Sequence, residues 1–313
     1  MKITILDGFA VNPGDLDWGI LEPYGTVTVY DRTDSDVESI ERIGDSEIIL
    51  VNKTPLPASV IEACPSIRMI GMLATGYNIV DVECARKHGI PVCNVPCYST
   101  NSVAQFAIAL LLEVCHHCGR HNILVHEGAW TSCQDFCLWT TPQIELAGKT
   151  LGIIGYGNIG KRVARIGEAF GMKINVYSQD PEAAQKSDYV TLHCPATAEN
   201  KGFINKDFIA GMKDGAVLIN TARGALINEA DLAEALKSGK LAAAGVDVLS
   251  CEPPVDPHPL IGLPNCILTP HNAWMPRETR QKVIDICTKN LQGFLDGEKV
   301  NGENKKVKEG STN

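Results

Sequence analysis

An open α/β architecture in two domains, each built on a parallel sheet, is what the sequence predicts, and three observations predict it. Short β-type runs alternate with helical stretches from residue 2 onward, the pattern of strands joined by crossover helices. That alternation occurs in two series, separated by one long helix with an apolar stripe. A chain of 313 residues is also too long for one ordinary core, and suits two domains of roughly 150 residues each.

In the first series KITILD, TVTVYD, SEIILVN, RMIGMLA and PVCNVP read as strands, with helices such as DVECARKHG between them. The long helix begins at STNSVAQ. Its Val103, Phe106, Ala107, Leu110, Leu111 and Val114 are spaced to line one face, which suits a helix that connects two domains or packs against a partner. After a loop containing GAWTSCQDFCLWTTP the second series runs KTLGIIG, KINVYS, DYVTLHC, GAVLIN, LAAAGVD and NCILTP. A last helix, PRETRQKVIDICTKNLQGFLDG, returns to the first domain, so the expected partition is 1–98 with 283–313, and 99–282. The tail GENKKVKEGSTN is polar and expected to fray.

Hydrophobic content of 44% and charge of 21% are those of a globular protein. No apolar run approaches the ~20 residues that span a bilayer, and MKITILDGFA reads as a first strand rather than a signal peptide. The twelve cysteines are scattered through strands and helices with no secretory signal, so reduced thiols, a cytoplasmic location and no membrane partner are expected. A net charge of −9 disfavours a nucleic-acid surface, since phosphate binding needs a basic face. An anionic substrate must then be held by a local cation.

The stretch LGIIGYGNIG supplies G-x-G-x-x-G at Gly155, Gly157 and Gly160, after a strand and at the start of a helix. The glycines serve a tight turn, backbone approach to a pyrophosphate, and close packing of helix on strand, which marks the second series as a Rossmann dinucleotide-binding domain. The fingerprint also asks for an acidic residue ~20 positions on to hold the ribose hydroxyls. KINVYSQD puts Ser178 there, followed by Gln179 and Asp180, and no Arg or Lys stands at 178 to 180 to receive a 2′-phosphate. NAD is the expected cofactor, with NADP left open. Only about ten residues separate KINVYS from DYVTLHC, where a parallel crossover takes a dozen or more. The usual third strand is therefore expected to be missing, replaced by an extended link of up to ~33 Å that leaves the adenine end more open.

Arg223 in NTARGALI, Asp247 and Glu252 in GVDVLSCEPP, and His271 in TPHNAW all lie just past candidate strand ends, where ligands bind in open α/β sheets. A guanidinium can hold a carboxylate and an adjacent carbonyl through parallel hydrogen bonds. A carboxylate beside a histidine favours the charged ring and fixes its tautomer. Each residue alone has a plainer reading, as a surface ion pair, a loop residue before prolines, or a packed ring; together, beside a nucleotide fingerprint, they read as acid/base chemistry. Cys115, His117, Cys118 and His121 in CHHCGRH have chelating spacings, but a closed zinc site needs a second ligand pair, and the histidines continue the helix stripe. No metal is expected. Trp130 and Trp139 flank a loop that covers a substrate pocket or serves as plain core or interface.

The set LATGYNIVD, NVPCYSTNSVAQ, LGIIGYGNIG, DYVTLHCP, INTARGALI, GVDVLSCEPP and TPHNAW resembles the D-isomer-specific 2-hydroxyacid dehydrogenase family over nearly the whole chain. LDGFAVNPGDLDW, VYDRT and DFCLW look most like its glycerate dehydrogenase and hydroxypyruvate reductase branch. The resemblance implies a flavodoxin-like substrate domain beside the Rossmann domain, with the active site in the cleft between them. By it Arg223 binds the substrate carboxylate and keto group, Glu252 supports the histidine, and His271 donates the proton. Thr75 and Gly76 match the loop whose amides receive the carboxylate. The implied cofactor neighbours are Thr75, Ser102, Val103, the Gly155 to Gly160 turn with Asn158 and Ile159, Ser178, Cys194, Thr221, Ala222, Arg223, Asp247, His271, Ala273 and Trp274. The expected activity is reversible hydride transfer between nicotinamide and a small anionic 2-keto or 2-hydroxy acid, hydroxypyruvate or D-glycerate first, in a homodimer. A reductase for larger aliphatic or aromatic keto acids, or a nucleotide-sensing corepressor of the same fold, stays open at this point.

Overall fold

The computed structural model describes residues 1–298, so the tail GENKKVKEGSTN lies outside the described residues. The chain separates into two compact units, Met1–Tyr98 together with the chain from Met275 on, and Ser99–Trp274.

The first unit runs β1 (Lys2–Ile5), β2 (Thr26–Val29), α1 (Asp36–Ile43), β3 (Ile48–Val51), α2 (Ala58–Ala63), β4 (Met69–Met72), α3 (Val82–Lys87) and β5 (Val92–Cys93). Its strands form one parallel sheet in the order β2-β1-β3-β4-β5. Every residue of β3 and β4 is buried, as the near-continuous apolar sequence of a doubly covered strand requires. Just past β1 the Asp7 carboxylate accepts the amides of Asn52, Lys53 and Thr54 at 2.7, 2.5 and 2.8 Å, which fixes the turn leaving β3.

The second unit runs α4 (Thr100–His116), α5 (Cys118–His126), β6 (Thr150–Ile154), α6 (Asn158–Ala169), β7 (Lys173–Val176), α7 (Pro181–Gln185), β8 (Tyr189–Leu192), α8 (Lys206–Gly211), β9 (Ala216–Asn220), α9 (Glu229–Ser238), β10 (Leu241–Val246) and β11 (Cys266–Leu268). Its sheet is also parallel, in the order β11-β10-β9-β8-β6-β7. The stripe of α4 buries Ala107, Leu110, Leu111 and Val114 with Leu151, Ile153, Val217 and Ile219 of this unit's own sheet, rather than serving mainly as a bridge. The stripe does not continue through His117 and His121. His117 has φ of 48°, a left-handed conformation that ends α4 and turns the chain into α5.

Among the described residues no third strand stands beyond β7, which is the edge of the sheet, while β8 pairs with the other side of β6. The link between them is not extended, as the sequence spacing suggested, but carries the single helical turn α7. Its sequence explains this: Asp180 caps the turn by accepting the Ala183 amide at 3.0 Å, Pro181 occupies the first helical position, and alanines follow. The turn packs on β6 so closely that a Cβ at Gly152 would stand 2.1 Å from the Ala184 carbonyl oxygen.

The last helix, α10 (Arg277–Leu295), belongs to the first unit. There the Arg280 guanidinium holds Asp15 through two bonds of 2.7 and 2.6 Å, and Asn290 donates to the Asn94 carbonyl at 3.0 Å. The return crossing accordingly falls between Trp274 and Met275, not at 283, which lies inside this continuous helix. Among the described residues no single helix is long and apolar enough to cross a membrane.

At the start of β8, Asp188 ties three segments together. Burial alone would raise its carboxyl, but the Lys213 ammonium at 2.6 Å and the amide and hydroxyl of Thr150 at 2.8 and 2.7 Å overcome this and hold it down to about 2. A carboxyl held below its ordinary value near 3.8 stabilises the fold at neutral pH, and the contribution is lost as the pH falls from about 4 to about 2. Asp188→Asn should lower the unfolding free energy by about 2 kcal/mol at pH 7, and urea titrations of variant and parent should converge across that acid window.

Candidate active site

The turn from β6 into α6 shows what each glycine of the fingerprint does. Gly155 has φ of +98°, and a Cβ there would stand 2.4 Å from the Cys194 amide nitrogen, so the turn is pressed against the end of β8. At Gly160 a Cβ would stand 2.1 Å from the Gly155 carbonyl oxygen. A Cβ at Gly157 would meet nothing within 4 Å beyond its chain neighbours, which leaves open space at the start of a helix whose first turn has no side-chain cap. An anionic diphosphate suits that place, because helix N-termini present amide donors and positive dipole ends.

Three buried polar atoms without partners lie past the carboxyl ends of strands in the same sheet: Nδ1 of His193 after β8, Oγ1 of Thr221 after β9, and Oδ1 of Asn272 in the turn after β11. Buried polar atoms are rarely left unsatisfied without a reason, and a polar ligand along the carboxyl edge supplies one. The residues present thus fit a bound dinucleotide. At its ribose end Ser178 is exposed, while the nearby Asp180 carboxylate is committed to capping α7. Tyr177 packs against Phe203 edge to face at 5.6 Å between ring centroids.

Beyond β9 the fully buried Asn220 shapes the turn that carries the arginine: its Oδ1 accepts the Ala222 amide at 3.0 Å, and its Nδ2 donates to the Arg223 carbonyl at 2.9 Å. The Arg223 side chain stands exposed, with Nη1 donating to the Ala222 carbonyl at 2.7 Å. Gly224 follows against the backbone of the next loop, where a Cβ would stand 1.9 Å from the Leu249 carbonyl carbon.

That loop carries Glu252. Its Oε1 accepts the Leu249 amide at 2.9 Å, and its Oε2 lies 2.5 Å from Nδ1 of His271. His271 occupies the left-handed region at φ of 52°, uncommon for a residue with a Cβ. The Asp247 carboxylate, 1% exposed, secures this turn: Oδ1 accepts the Thr269 hydroxyl at 2.6 Å and the Asn272 amide at 3.0 Å, and Oδ2 accepts the Ala273 amide at 3.0 Å. Burial raises the Asp247 carboxyl above its ordinary range, outweighing these bonds. A glutamate bonded at Nδ1 fixes the ring proton there and leaves Nε2 as the working atom of an acid/base.

Residues 108–273 match the family model described as D-isomer specific 2-hydroxyacid dehydrogenase, NAD binding domain. The chain belongs to the D-isomer-specific 2-hydroxyacid dehydrogenase family. It is 52% identical to a hydroxypyruvate reductase of Blautia hydrogenotrophica, over 97% of this chain and all of that one. It is 38% identical to a glycerate dehydrogenase of Methylorubrum extorquens, over 87% and 90% of the two chains. Among solved structures, a Thermus thermophilus protein superposes with a TM-score of 0.84 at 31% identity, covering 96% of this chain and 99% of that one. The first of these alignments extends over 322 positions, more than the whole of this 313-residue chain, so residues of that relative stand opposite gaps here.

In this dehydrogenase the structure brings together Glu252 and His271 directly, and sets the Arg223 turn against the loop of Glu252 through Gly224. Other expected site residues have their groups committed elsewhere. Asp247 and the Ala273 amide bond to each other rather than standing open to a nicotinamide. Ser102 donates its hydroxyl to the Ser99 carbonyl at 3.0 Å, and Val103 is buried beside it on α4. In the first unit Thr75, just past β4, spends its hydroxyl on the Val95 carbonyl at 2.7 Å, while Gly76 is half-buried. Sequence reasoning missed Asn220 altogether, although an asparagine closing an apolar strand before a tight turn is a readable signal. Asp247→Asn would set an amide NH2 against an N–H of the His271 turn, and should cost about 1–3 kcal/mol in chemical unfolding at pH 7.

Proposed function

We propose that this NAD-linked dehydrogenase reduces hydroxypyruvate to D-glycerate, reversibly, with His271 as the general acid. The observation that carries the proposal is the 2.5 Å contact between Glu252 and Nδ1 of His271, on a turn past the sheet edge where the orphaned polar atoms lie. The substrate is supported by the relatives: the 52% identical protein is a hydroxypyruvate reductase, and the Methylorubrum protein a glycerate dehydrogenase.

Bound nicotinamide supplies the hydride for the keto carbon. The protein's part is proton transfer and charge stabilisation. With its Nδ1 proton held by Glu252, the charged His271 ring delivers the Nε2 proton to the oxygen that becomes the hydroxyl. Arg223, exposed at its strand end, is assigned the substrate carboxylate and the keto oxygen, whose developing charge a fixed cation stabilises. Thr75 and Gly76 are assigned carboxylate binding on the resemblance of their loop. Gly155, Gly157, Asn158, Ile159 and Gly160 are assigned the diphosphate, and Cys194, Thr221 and Ala222 the cofactor's nicotinamide side.

Ser178 provides neither a carboxylate for the ribose hydroxyls nor a cation for a 2′-phosphate, so NADH is proposed as the working cofactor with weak discrimination. A homodimer is proposed on the apolar side chains displayed by α5 and the loop after it, where Ile123, Trp130, Trp139 and the 91% exposed Phe136 stand in solvent. All described cysteines are free thiols, which supports a reducing cytoplasmic setting.

Steady-state NADH oxidation with hydroxypyruvate, glyoxylate and pyruvate in turn tests the proposal. Hydroxypyruvate should give the highest kcat/KM, and NADH should serve at least as well as NADPH. No turnover with any keto acid would instead mark a nucleotide-sensing protein, and a preference for larger aliphatic acids would move the substrate. His271→Ala should lower kcat by a factor of order 10² to 10⁴; unchanged turnover would remove this residue from the mechanism.

A further inference from the structure

The second unit holds another glutamate–histidine contact, which the reaction as described does not use. Glu229 opens α9, and its Oε2 lies 3.2 Å from Nε2 of His258, the two side chains being 13% and 7% exposed. The Leu260 amide donates to Nδ1 of His258 at 3.3 Å, so Nδ1 presents its lone pair and the ring proton sits on Nε2, toward the glutamate.

The same carboxylate grips the loop that supports the catalytic pair. Oε1 of Glu229 accepts the Ser250 amide at 2.7 Å and Oε2 accepts the Ser250 hydroxyl at 2.7 Å. Ser250 follows Leu249, whose amide donates to Glu252, and precedes Glu252 by two residues. From the other side the loop is pressed against Gly224, where a Cβ would stand 2.3 Å from the Ser250 nitrogen. Residues 250 to 257 are exposed and lie outside any helix or strand, so without such a hold nothing regular in the backbone would fix where Glu252 points.

We infer that Glu229, itself held by His258, is a positioning residue for the reaction: by clamping Ser250 it sets the carboxylate of Glu252 against Nδ1 of His271. The inference rests on the assignment of His271 and Glu252 made above and extends it to a residue that touches neither substrate nor ring. Displacement of a supporting group by about 1 Å is enough to cost rate, because the proton must be presented in line with the keto oxygen. Glu252 at Nδ1 and Asp247 beneath the turn are charged groups bonded to this ring and its turn; a change at 229 replaces neither, and it acts on the ring through the placement of Glu252.

The test compares Glu229→Gln, Ser250→Ala, Glu252→Gln and their pairings, with NADH and hydroxypyruvate across pH. Glu229→Gln keeps the side-chain size but replaces one acceptor oxygen with a donor. Its kcat should fall about tenfold, with both KM values within about twofold of the parent. The pH at which reduction falls off should move down, in the same direction as for Glu252→Gln, where the ring loses its anionic partner. Combined with Glu252→Gln, the change at 229 should cost less than about a further twofold, since it acts through the group already removed. Ser250→Ala, which removes one of the clamp's bonds and leaves the helix intact, should give a smaller effect of the same kind and carries the test if Glu229→Gln does not fold. Multiplicative losses in the double variant, a fall in kcat with an unmoved pH limb, or full activity in both single variants would overturn the inference. Losses in His271→Ala and Glu252→Gln beside an unaltered Glu229→Gln would sink the inference alone; a fully active His271→Ala would sink the assignment beneath it as well.

Discussion

A carboxylate oxygen of Glu252 lies 2.5 Å from Nδ1 of His271, and the chemistry proposed for the second unit depends on that contact being kept. The two residues come from different loops, one after β10 and one after β11, and neither loop has regular structure to hold it. The contact is therefore a product of its surroundings. Asp247 binds the histidine's turn from below and permits a left-handed backbone at His271, while Glu229 and Gly224 fix the glutamate's loop from the other side. An acid/base built on loops has its precision supplied by buried polar groups on the strands and helices behind them.

The same device recurs across the molecule. Asp7 past β1, Asp188 before β8 and Asp247 past β10 each turn a carboxylate onto backbone amides of a neighbouring segment. Each satisfies backbone donors of another segment, and each joins segments distant in sequence. Of the three only Asp247 lies on the carboxyl edge of the second sheet, where the glycine turn, Arg223, Glu252 and His271 also emerge; Asp188 stands at the opposite edge and Asp7 on the first unit's sheet. On that edge a structural carboxylate, Asp247, stands beside the groups proposed for the reaction, and burial and partners distinguish it from Glu252.

The parts of this structure legible in the sequence are those written in local pattern. The parallel strands follow from apolar runs, the glycine turn from its spacing, and the absent third strand from the shortness of the link after KINVYS. Spacing alone misreads the link itself as extended, because it measures reach and not capping; Asp180, Pro181 and the alanines after it spell a helical turn. The long stripe on α4 is legible as a stripe, but not the left-handed residue that ends it at His117. Asp247 reads in the sequence as a site residue, yet its side chain faces the turn rather than open space; a buried acid and a ligand-binding acid look alike in one chain. The Glu229 clamp is illegible, because its partners stand 21 and 29 residues away and no local spacing links them.

The account stands on Glu252 fixing the tautomer of His271, with the ring proton on Nδ1 and Nε2 left for the substrate. Nitrogen-15 NMR of the labelled histidine ring, recorded at a pH high enough to remove its charge, reads that tautomer directly. A neutral ring protonated at Nδ1 is the predicted result. A ring found with its proton on Nε2 would show that the glutamate does not hold it, and would contradict the account.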